Sequence, residues 1–464
     1  MVLALSAAPA ADAVRGLTTG FGGDPSLTDG SGLAAHRWIP DAVDEGAQVV
    51  RFNVLWSAVA PARRPKGFDA SDPNSRGYNW TGVDAGVRQL AAQGRTVLFT
   101  ISMAPRWAEG PHPGRFAQAG TWEPSTAAFG AFAKAAATRY DGHFPDPLHR
   151  GAFLPRVDHW QGWNEPNLAY YLDPQWRRVG SQWVPASPEM FRGLMNAFYR
   201  AVKSVSASNF VVMGGTAPYG DAPGGARMPP VQFDRYLFCM TGGGPLKPLG
   251  CSDPVHFDAI AHHPYGVGGP LMPALNPDDV AVPDLGKLTR VMHAAQRYGL
   301  VQPSGPKQFW VTEISWDSDP PDPQGVPLQR QARWYEQAMY VLWLQGVSTV
   351  LWLQIVDSPP IPNYASSYQA GLYFLDGRPK PAATAVRFPF VTRRLGGDAV
   401  QAWGRAPQAG TVSVEERVDG SWRVVAHLSA GAHQVFVRTL HIAGAAVLRA
   451  QVGSQTSLTW NQSS

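Results

Sequence analysis

Residues 162–167 read Gly-Trp-Asn-Glu-Pro-Asn, and they follow an apolar run that ends at Trp160. Such a run is typical of a strand that is buried on both faces of a parallel sheet. Pro166 has no backbone N–H to donate to a neighbouring strand, so the strand ends before it. The hexapeptide therefore predicts a carboxylate, Glu165, at the carboxyl end of a parallel strand, where α/β barrels collect their functional groups.

A second carboxylate occupies a comparable position far downstream. Residues 307–316 read KQFWVTEISW, in which the bulky and β-branched residues 309–311 favour a strand and Glu313 comes near its end. No local element joins Glu165 to Glu313, because several secondary-structure elements separate them. Only a closed tertiary architecture would bring the two carboxylates together.

Strand-like and helix-like segments alternate along most of the chain. The apolar runs predict eight strands, at residues 16–21, 48–54, 96–102, 157–163, 210–214, 257–262, 308–313 and 349–355. Apolar stripes at helical spacing separate several of these strands, for example between Phe191 and Val205, behind a helix start at Ser187-Pro188. Eight strand–helix alternations predict an α/β fold, a (β/α)₈ TIM barrel.

The pattern changes after about residue 387. Short alternating segments follow, at residues 410–417, 422–428, 434–439 and 445–452, and Asp419-Gly420 supplies a tight turn between the first two. The predicted organisation is a signal-peptide remnant or disordered N-terminus at 1–14, a catalytic barrel at 15–386 and a small β-sandwich domain at 387–464. A structural role for this last domain and a role in carbohydrate binding are both open.

Composition limits the classes of partner. The chain has 464 residues and a formal net charge of +4. Its Lys and Arg residues form no cluster of the kind that follows phosphates, so we expect no nucleic acid partner. No apolar run is long enough to cross a membrane. The 17 tryptophans and 14 tyrosines suit a ligand with apolar C–H faces, such as a sugar, although such rings also pack in cores.

The two cysteines and the first residues bear on the cellular compartment. Cys239 and Cys251 flank a loop rich in Gly and Pro, and we predict a disulfide between them, with a pair of free thiols as the alternative. CxxC spacing is absent, so we expect no metal site and no cofactor. The start MVLALSAAPAADA is similar to the end of a signal peptide, with an Ala-x-Ala-like site at residues 11–13. These features predict a secreted protein, and they predict nothing about its oligomeric state.

The predicted barrel places the two carboxylates on one face. The carboxyl ends of all strands meet there, so Glu165 after the fourth strand and Glu313 after the seventh would face each other. Glycoside hydrolysis needs two carboxyl groups across the scissile bond, one of which protonates the leaving oxygen. If the groups lie about 5–5.5 Å apart, the other is a nucleophile and the configuration of the sugar is retained.

These residues resemble the motifs of the clan A glycoside hydrolases, which are retaining enzymes built on a (β/α)₈ barrel. Asn-Glu-Pro at residues 164–166 resembles their acid/base motif on strand four, and Thr312-Glu313 resembles their nucleophile on strand seven. The longer string at residues 163–167 is most similar to glycoside hydrolase family 39. The resemblance implies double displacement, with Glu165 as acid/base and Glu313 as nucleophile.

The resemblance also implies polar partners for the two carboxylates. Arg51, at the end of strand two, would orient Glu313 and keep it ionised, unless it forms an ordinary ion pair at the barrel mouth. Asn164 would contact the 2-hydroxyl of the sugar. Tyr265 would reach Glu313, and His263 would touch the sugar or the carboxylates, with a structural hydrogen-bond donor as the alternative.

Aromatic residues and long loops would shape the sugar site. Trp352 on strand eight resembles the floor of the sugar subsite, and Trp107 and Trp316 would form walls, with packing as the alternative. Long loops after strands four, six and seven favour a pocket for chain ends, hence exo action. As the substrate we expect arabinofuranosyl- or xylosyl-type side chains of plant oligo- or polysaccharides. The alternatives are an endo-acting clan A glycanase, a transglycosylase and a non-catalytic carbohydrate-binding barrel.

Overall fold

The computed structural model describes residues 15–28 and 33–463. The predicted signal-peptide remnant at residues 1–14 lies outside these residues. The chain divides into two compact units. One unit is Thr18–Arg387, and the other comprises residues 388–463 together with residues 15–17.

The first unit is built on a closed barrel of parallel strands. The strands are β1 (Thr18–Gly22), β2 (Val49–Leu55), β3 (Thr96–Ser102), β4 (His159–Gly162), β5 (Phe210–Met213), β6 (Ala259–His262), β7 (Gln308–Val311) and β8 (Val347–Trp352). Each strand pairs in parallel with its neighbours in the chain, and β8 pairs with β1 to close the barrel. The predicted (β/α)₈ fold is confirmed, and each predicted strand overlaps an observed one.

Helices connect the strands. They are α1 (Leu33–Asp44), α2 (Thr81–Ala92), α3 (Thr126–Arg139), α4 (Ser187–Val205), α5 (Pro230–Leu237), α6 (Gly286–Arg297), α7 (Leu328–Leu344) and α8 (Pro381–Arg387). The helix predicted from the Ser187-Pro188 start is α4, whose apolar stripe from Phe191 to Val202 is buried. Among the described residues, no helix has the length and apolarity needed to span a membrane.

The barrel interior is filled by apolar side chains from strands all around it. This cluster consists of Val49, Leu98, Val212, Ala259, Ala261, Trp310 and Leu351. Alternate residues of a strand point to opposite faces, so one face of each strand fills the interior and the other packs under the helices. This packing fixes the strand ends that carry the polar residues of the mouth.

The loops after the strands contain structure that the sequence did not reveal. The segment after β4, which the sequence predicted only as a long loop, holds an antiparallel hairpin of Trp176–Val179 and Gln182–Pro185. Gly180 turns this hairpin with a φ of 60°. The predicted disulfide between Cys239 and Cys251 is present, in the loop that follows α5.

The second unit is rich in β-strands. A three-stranded sheet contains β9 (Phe390–Gly396), β10 (Ala399–Arg405) and β13 (Val435–His441), and a larger sheet contains β11 (Gly410–Val418), β12 (Ser421–Ala430) and β14 (Ala446–Val452). Asp419 and Gly420 join β11 to β12 with φ values of 48° and 82°. Two successive positive φ values are what the predicted tight hairpin turn requires.

Candidate active site

The two predicted carboxylates face each other at the mouth of the barrel. Glu165 follows β4 and Glu313 follows β7. One carboxylate oxygen of each residue and a ring nitrogen of His263 all lie within 4.8 Å of one another. The side chains of Glu165 and Glu313 keep 12% and 15% of their surface exposed, so both are enclosed yet still reachable from solvent. Residues on opposite sides of the barrel thus form one compact site.

The backbone that carries Glu165 is strained. Trp163 and Glu165 have φ values of 71° and 36°, which side-chain-bearing residues rarely adopt. Such positions each cost about 1–3 kcal/mol and persist only where their surroundings hold them. The N–H of Glu165 donates to the carbonyl of Gly215 at 3.0 Å. Asn167 holds the loop as well, because its amide donates to the carbonyl of Ala217 at 3.0 Å and accepts from the N–H of that residue at 2.8 Å.

Glu313 is surrounded by hydrogen-bond donors. The Arg51 guanidinium donates to its Oε1, and the Tyr265 hydroxyl donates to its Oε2 at 3.0 Å. Burial alone would raise the pKa of Glu313, but the nearby His263 and Arg51 and the two hydrogen bonds outweigh burial and lower the pKa below its ordinary value. Burial and the neighbouring carboxylates raise the pKa of Tyr265 well above its ordinary value, so its hydroxyl stays protonated and can donate.

Arg51 is fixed on three sides. Only 1% of its side chain is exposed. Besides its bond to Glu313, it donates from Nη2 to Oδ1 of Asn164 at 2.6 Å and from Nε to the hydroxyl of Thr100 at 2.7 Å. Because Oδ1 of Asn164 is engaged by Arg51, the amide N–H₂ of Asn164 is turned away from Arg51. The sequence predicted Arg51 and Asn164 as site residues, but Thr100 was not singled out.

A buried chain of hydrogen bonds runs from Arg51 to the other carboxylate. The hydroxyl of Thr100 donates to Oε1 of Gln161 at 2.8 Å, and Nε2 of Gln161 donates to the hydroxyl of Thr312 at 3.2 Å. Thr312 lies 2.9 Å from Nε2 of His263, whose Nδ1 lies 2.9 Å from Oε1 of Glu165. Both ring nitrogens of His263 thus have a polar partner, the carboxylate of Glu165 at Nδ1 and the hydroxyl of Thr312 at Nε2. The chain therefore orients His263 toward Glu165.

Glycine at position 215 makes room for this histidine. A Cβ on Gly215 would lie 2.4 Å from Nε2 of His263 and 3.1 Å from the hydroxyl oxygen of Thr312. The first distance is far below a van der Waals contact, so any side chain here would displace the imidazole. The carbonyl of the same glycine accepts from the N–H of Glu165. One residue of the loop after β5 thus supports both Glu165 and its partner.

The cleft beside the carboxylates is lined mainly by tyrosines and small apolar residues. It measures about 330 Å³, and its lining consists of Glu165, Leu168, Tyr171, Ala217, Pro218, Tyr219, Arg227, Tyr265, Glu313 and Tyr368. Burial, followed by the charges of Glu313 and Glu165, raises the pKa of Tyr368 to about 12. Of these tyrosines, the sequence singled out Tyr265 alone.

The three predicted tryptophans lie in packed surroundings, and none of them is among the residues that line this cleft. Trp352 ends β8 and is fully buried, with its ring edge-on to Tyr335 at 4.4 Å. Trp316 is 6% exposed and donates from Nε1 to the carbonyl of Gly268 at 3.0 Å. Trp107 donates to the carbonyl of Pro61 at 2.8 Å. A contact between these rings and a sugar stays a prediction.

The donor set bears on whether a metal would bind. Glu165, His263 and Glu313 are close enough for their ligand atoms to reach one ion. Both oxygens of Glu313 already accept hydrogen bonds, from Arg51 and Tyr265, and the guanidinium places a positive charge against one of them. This arrangement fits an ionised carboxylate held by protein donors better than a metal ligand.

Comparison with known proteins supports the fold. No protein-family model and no curated protein matches the sequence. Solved structures do match, among them a family 39 glycoside hydrolase from the gut symbiont Bacteroides cellulosilyticus, with 18% sequence identity and a TM-score of 0.54 over 92% of this chain and 81% of that chain. A monomeric β-xylosidase from Caulobacter crescentus matches with 15% identity and a TM-score of 0.51, over 92% of this chain and 94% of that chain.

A glucosidase from Croceicoccus marinus matches with 15% identity and a TM-score of 0.50, over 92% of this chain and 81% of that chain. These low identities mean that the likeness concerns the fold. The predicted resemblance to clan A, and to family 39 in particular, is confirmed at that level.

Proposed function

We propose that the protein is a retaining glycoside hydrolase, with Glu165 as general acid/base and Glu313 as nucleophile. The separation of the carboxylates carries this proposal. Their nearest ligand oxygens lie within 4.8 Å. Retaining enzymes hold the two groups about 5–5.5 Å apart, whereas inverting enzymes need about 6.5–9.5 Å to admit a water between the sugar and the base.

The surroundings of the two carboxylates suit different roles. Arg51 and Tyr265 both donate to Glu313, which keeps it ionised and therefore nucleophilic. Among the described residues, the side chain of Glu165 bonds to His263 and to no arginine or lysine. This difference in hydrogen-bond partners is the basis on which we assign Glu165, and not Glu313, as the general acid/base.

The reaction then runs in two displacements. The Glu313 carboxylate attacks the anomeric carbon while Glu165 gives its proton to the glycosidic oxygen, so the bond to the leaving alcohol breaks and a glycosyl ester forms. Glu165, now ionised, takes a proton from a water that attacks the same carbon. The ester bond to Glu313 breaks, the free sugar leaves and Glu165 is protonated again.

Asn164 is placed to bind the sugar beside the nucleophile. Its Oδ1 accepts from Arg51 at 2.6 Å, so its amide N–H₂ is available to a ligand. A donor here would hold the 2-hydroxyl of the sugar, a contact that strengthens in the transition state. Arg51 thereby fixes two groups that act on adjacent carbons of the sugar.

We propose exo action, in which a single terminal arabinofuranosyl- or xylosyl-type sugar is removed from its aglycone. The cleft of about 330 Å³ lies at the small end of the range for ligand sites, about 300–1,000 Å³. Such a volume favours a single sugar unit over an extended chain. A panel of aryl arabinofuranosides, xylosides, glucosides and galactosides would identify the sugar, and arabinans would test action on polymers.

Two variants and one spectrum test the mechanism. We expect Glu313→Gln to abolish turnover, because an amide cannot form the glycosyl ester. We expect Glu165→Ala to be slow, and azide to restore part of its rate on substrates with good leaving groups, because azide needs no general base. Glu45→Gln changes a buried carboxylate that precedes β2, at the opposite end of the barrel, and serves as the matched control.

Proton NMR of the first-formed anomer reports the stereochemistry. Retention is expected. An inverted product, or full activity in Glu313→Gln, would remove the proposed nucleophile. Sugar binding without hydrolysis of any glycoside would favour a non-catalytic carbohydrate-binding barrel.

We also propose that the protein is secreted. The bond between Cys239 and Cys251 supports this, because structural disulfides form and persist in oxidising compartments. Antibody detection in the culture medium of the source organism is the measurement. Retention of the protein inside cells with both thiols reduced would contradict the proposal.

A further inference from the structure

A second cavity adjoins the catalytic cleft, and we name it the loop pocket. It measures about 330 Å³ and is formed by the loops after β5 and β6, at residues 219–227 and 266–279. Tyr219 and Arg227 line both the loop pocket and the cleft. The two cavities are therefore neighbours, and a ligand that extends from the cleft past Tyr219 and Arg227 would reach the loop pocket.

The loop pocket is apolar where it meets solvent. Val267, Met272 and Leu275 line it and are 94%, 56% and 98% exposed. Single exposed apolar side chains are ordinary on a protein surface, but three around one cavity beside a catalytic site mark a ligand surface. Pro273 and Ala274 complete this apolar lining. Apolar ligand area buried here would contribute about 25 cal/mol per Å².

The polar groups of the loop pocket are already paired within the protein. Arg227 forms an ion pair of 2.6 Å with Asp221. Asp279 accepts from the N–H of Gly220 at 3.0 Å and from the side chain of Asn276 at 2.8 Å. With these groups engaged, the loop pocket offers little to the hydroxyl groups of a second sugar. Its lining suits a hydrocarbon.

The loop pocket opens on the side of the general acid. Arg227 forms a β-bridge with Leu168, which belongs to the same loop as Glu165 and lines the cleft beside it. The general acid protonates the oxygen of the leaving group, so the leaving group lies next to it. The part of the substrate that reaches the loop pocket is therefore the aglycone.

We propose that the loop pocket binds an apolar aglycone, and that the preferred substrates are glycosides whose leaving group is a long-chain or polycyclic alcohol. This proposal rests on the proposed glycosidase activity and specifies its leaving group. Among glycosides of one sugar, those with an extended apolar aglycone should be cleaved with higher kcat/KM than those whose leaving group is methanol or another sugar.

The test is a series of alkyl glycosides of the sugar that the aryl panel identifies, from methyl to octyl, each below its micelle concentration. We expect kcat/KM to rise with chain length by up to about 4-fold per methylene, from about 0.8 kcal/mol per buried methylene. The double variant Val267→Ser/Leu275→Ser should flatten this rise and leave the methyl glycoside unaffected.

Leu271→Ser is the matched control. Leu271 lies on the same loop and is 60% exposed, but it does not line the loop pocket. This variant should keep the full dependence on chain length. Because all three changes replace exposed side chains with serine, we expect the variants to fold.

The outcomes separate the two proposals. Absence of hydrolysis for every methyl and aryl glycoside would overturn the proposed function itself. Hydrolysis of methyl glycosides with no rise along the series would overturn the apolar aglycone alone. A rise that survives in the double variant would also overturn it, because the gain would then come from another surface.

Discussion

Replacing Arg51 with methionine should raise the pKa of Glu313. Methionine is unbranched and flexible enough to fill the space of the arginine stem, but it donates no hydrogen bond. Burial raises the pKa of Glu313, and the charges of His263 and Arg51 with the hydrogen bonds outweigh it. Without the guanidinium, less opposes the effect of burial, so the pKa of Glu313 rises.

The size of the effect follows from the contacts that are lost. A hydrogen bond to a charged group contributes about 1.5–3 kcal/mol, which corresponds to a loss of about 10- to 150-fold in kcat/KM. Because the nucleophile must be ionised, the acidic limb of the pH–rate profile should move to higher pH, and raising the pH should recover part of the rate. Leaving Glu313 unpaired should also lower the free energy of unfolding by about 3–5 kcal/mol.

The assay is kcat/KM against pH, at a temperature where urea titration shows the variant to be folded. Arg139→Met is the matched control. Arg139 is a buried arginine with two hydrogen bonds to Asp84, of 2.8 and 2.6 Å, between helices α3 and α2. The Arg139→Met variant should be less stable, but the acidic limb of its pH–rate profile should not shift. A folded Arg51→Met enzyme with an unchanged acidic limb would refute the reasoning.

Two further changes test buried polar groups at the two ends of the barrel. Thr312→Val removes the hydroxyl between Gln161 and His263, and we expect kcat to fall about 10-fold. Thr312→Ser keeps a hydroxyl and should restore kcat. A valine variant of full activity would contradict the role of the buried hydrogen-bond chain. Burial raises the pKa of Glu45 to about 7 from 4.5, so the folded protein binds an extra proton between these values and stability falls as pH rises through them. Glu45→Gln should therefore raise the free energy of unfolding by up to about 3 kcal/mol at pH 8 and by little at pH 4, as measured by urea unfolding. An equal increase at the two pH values would contradict this assignment.

The proposed catalytic pair could be predicted from sequence because each residue follows a buried strand. Eight apolar runs predicted the barrel, and the barrel geometry alone brings the ends of β4 and β7 to one face. Arg51, Asn164, His263 and Tyr265 were predicted from the family resemblance. The structure places Arg51 and Tyr265 against Glu313 and His263 against Glu165. Asn164 contacts Arg51 and neither carboxylate directly. Their chemical roles stay predictions until variants are measured.

The hydrogen bonds beneath the site and the loops around it could not be predicted from sequence. Thr100, Gln161 and Thr312 are polar residues within or beside apolar strands, and the alternation of a strand gives the face of a residue but not its partner on another strand. The tyrosines of the cleft come from several loops that have no periodic pattern. The hairpin after β4 joins two strands of four residues each, too short for their alternation to stand out in sequence.

Gly215 lies outside the barrel strands, yet its lack of a side chain is needed for the position of His263 beside Glu165. A methyl group there would meet the imidazole of His263 at 2.4 Å, while the barrel strands around it would keep their pairing. Alanine at this position would therefore move His263 and disturb its hydrogen bond to Glu165, the proposed proton donor. In a chain of this fold that carries a larger residue here, a histidine could not occupy the position that His263 takes beside the carboxylate after β4.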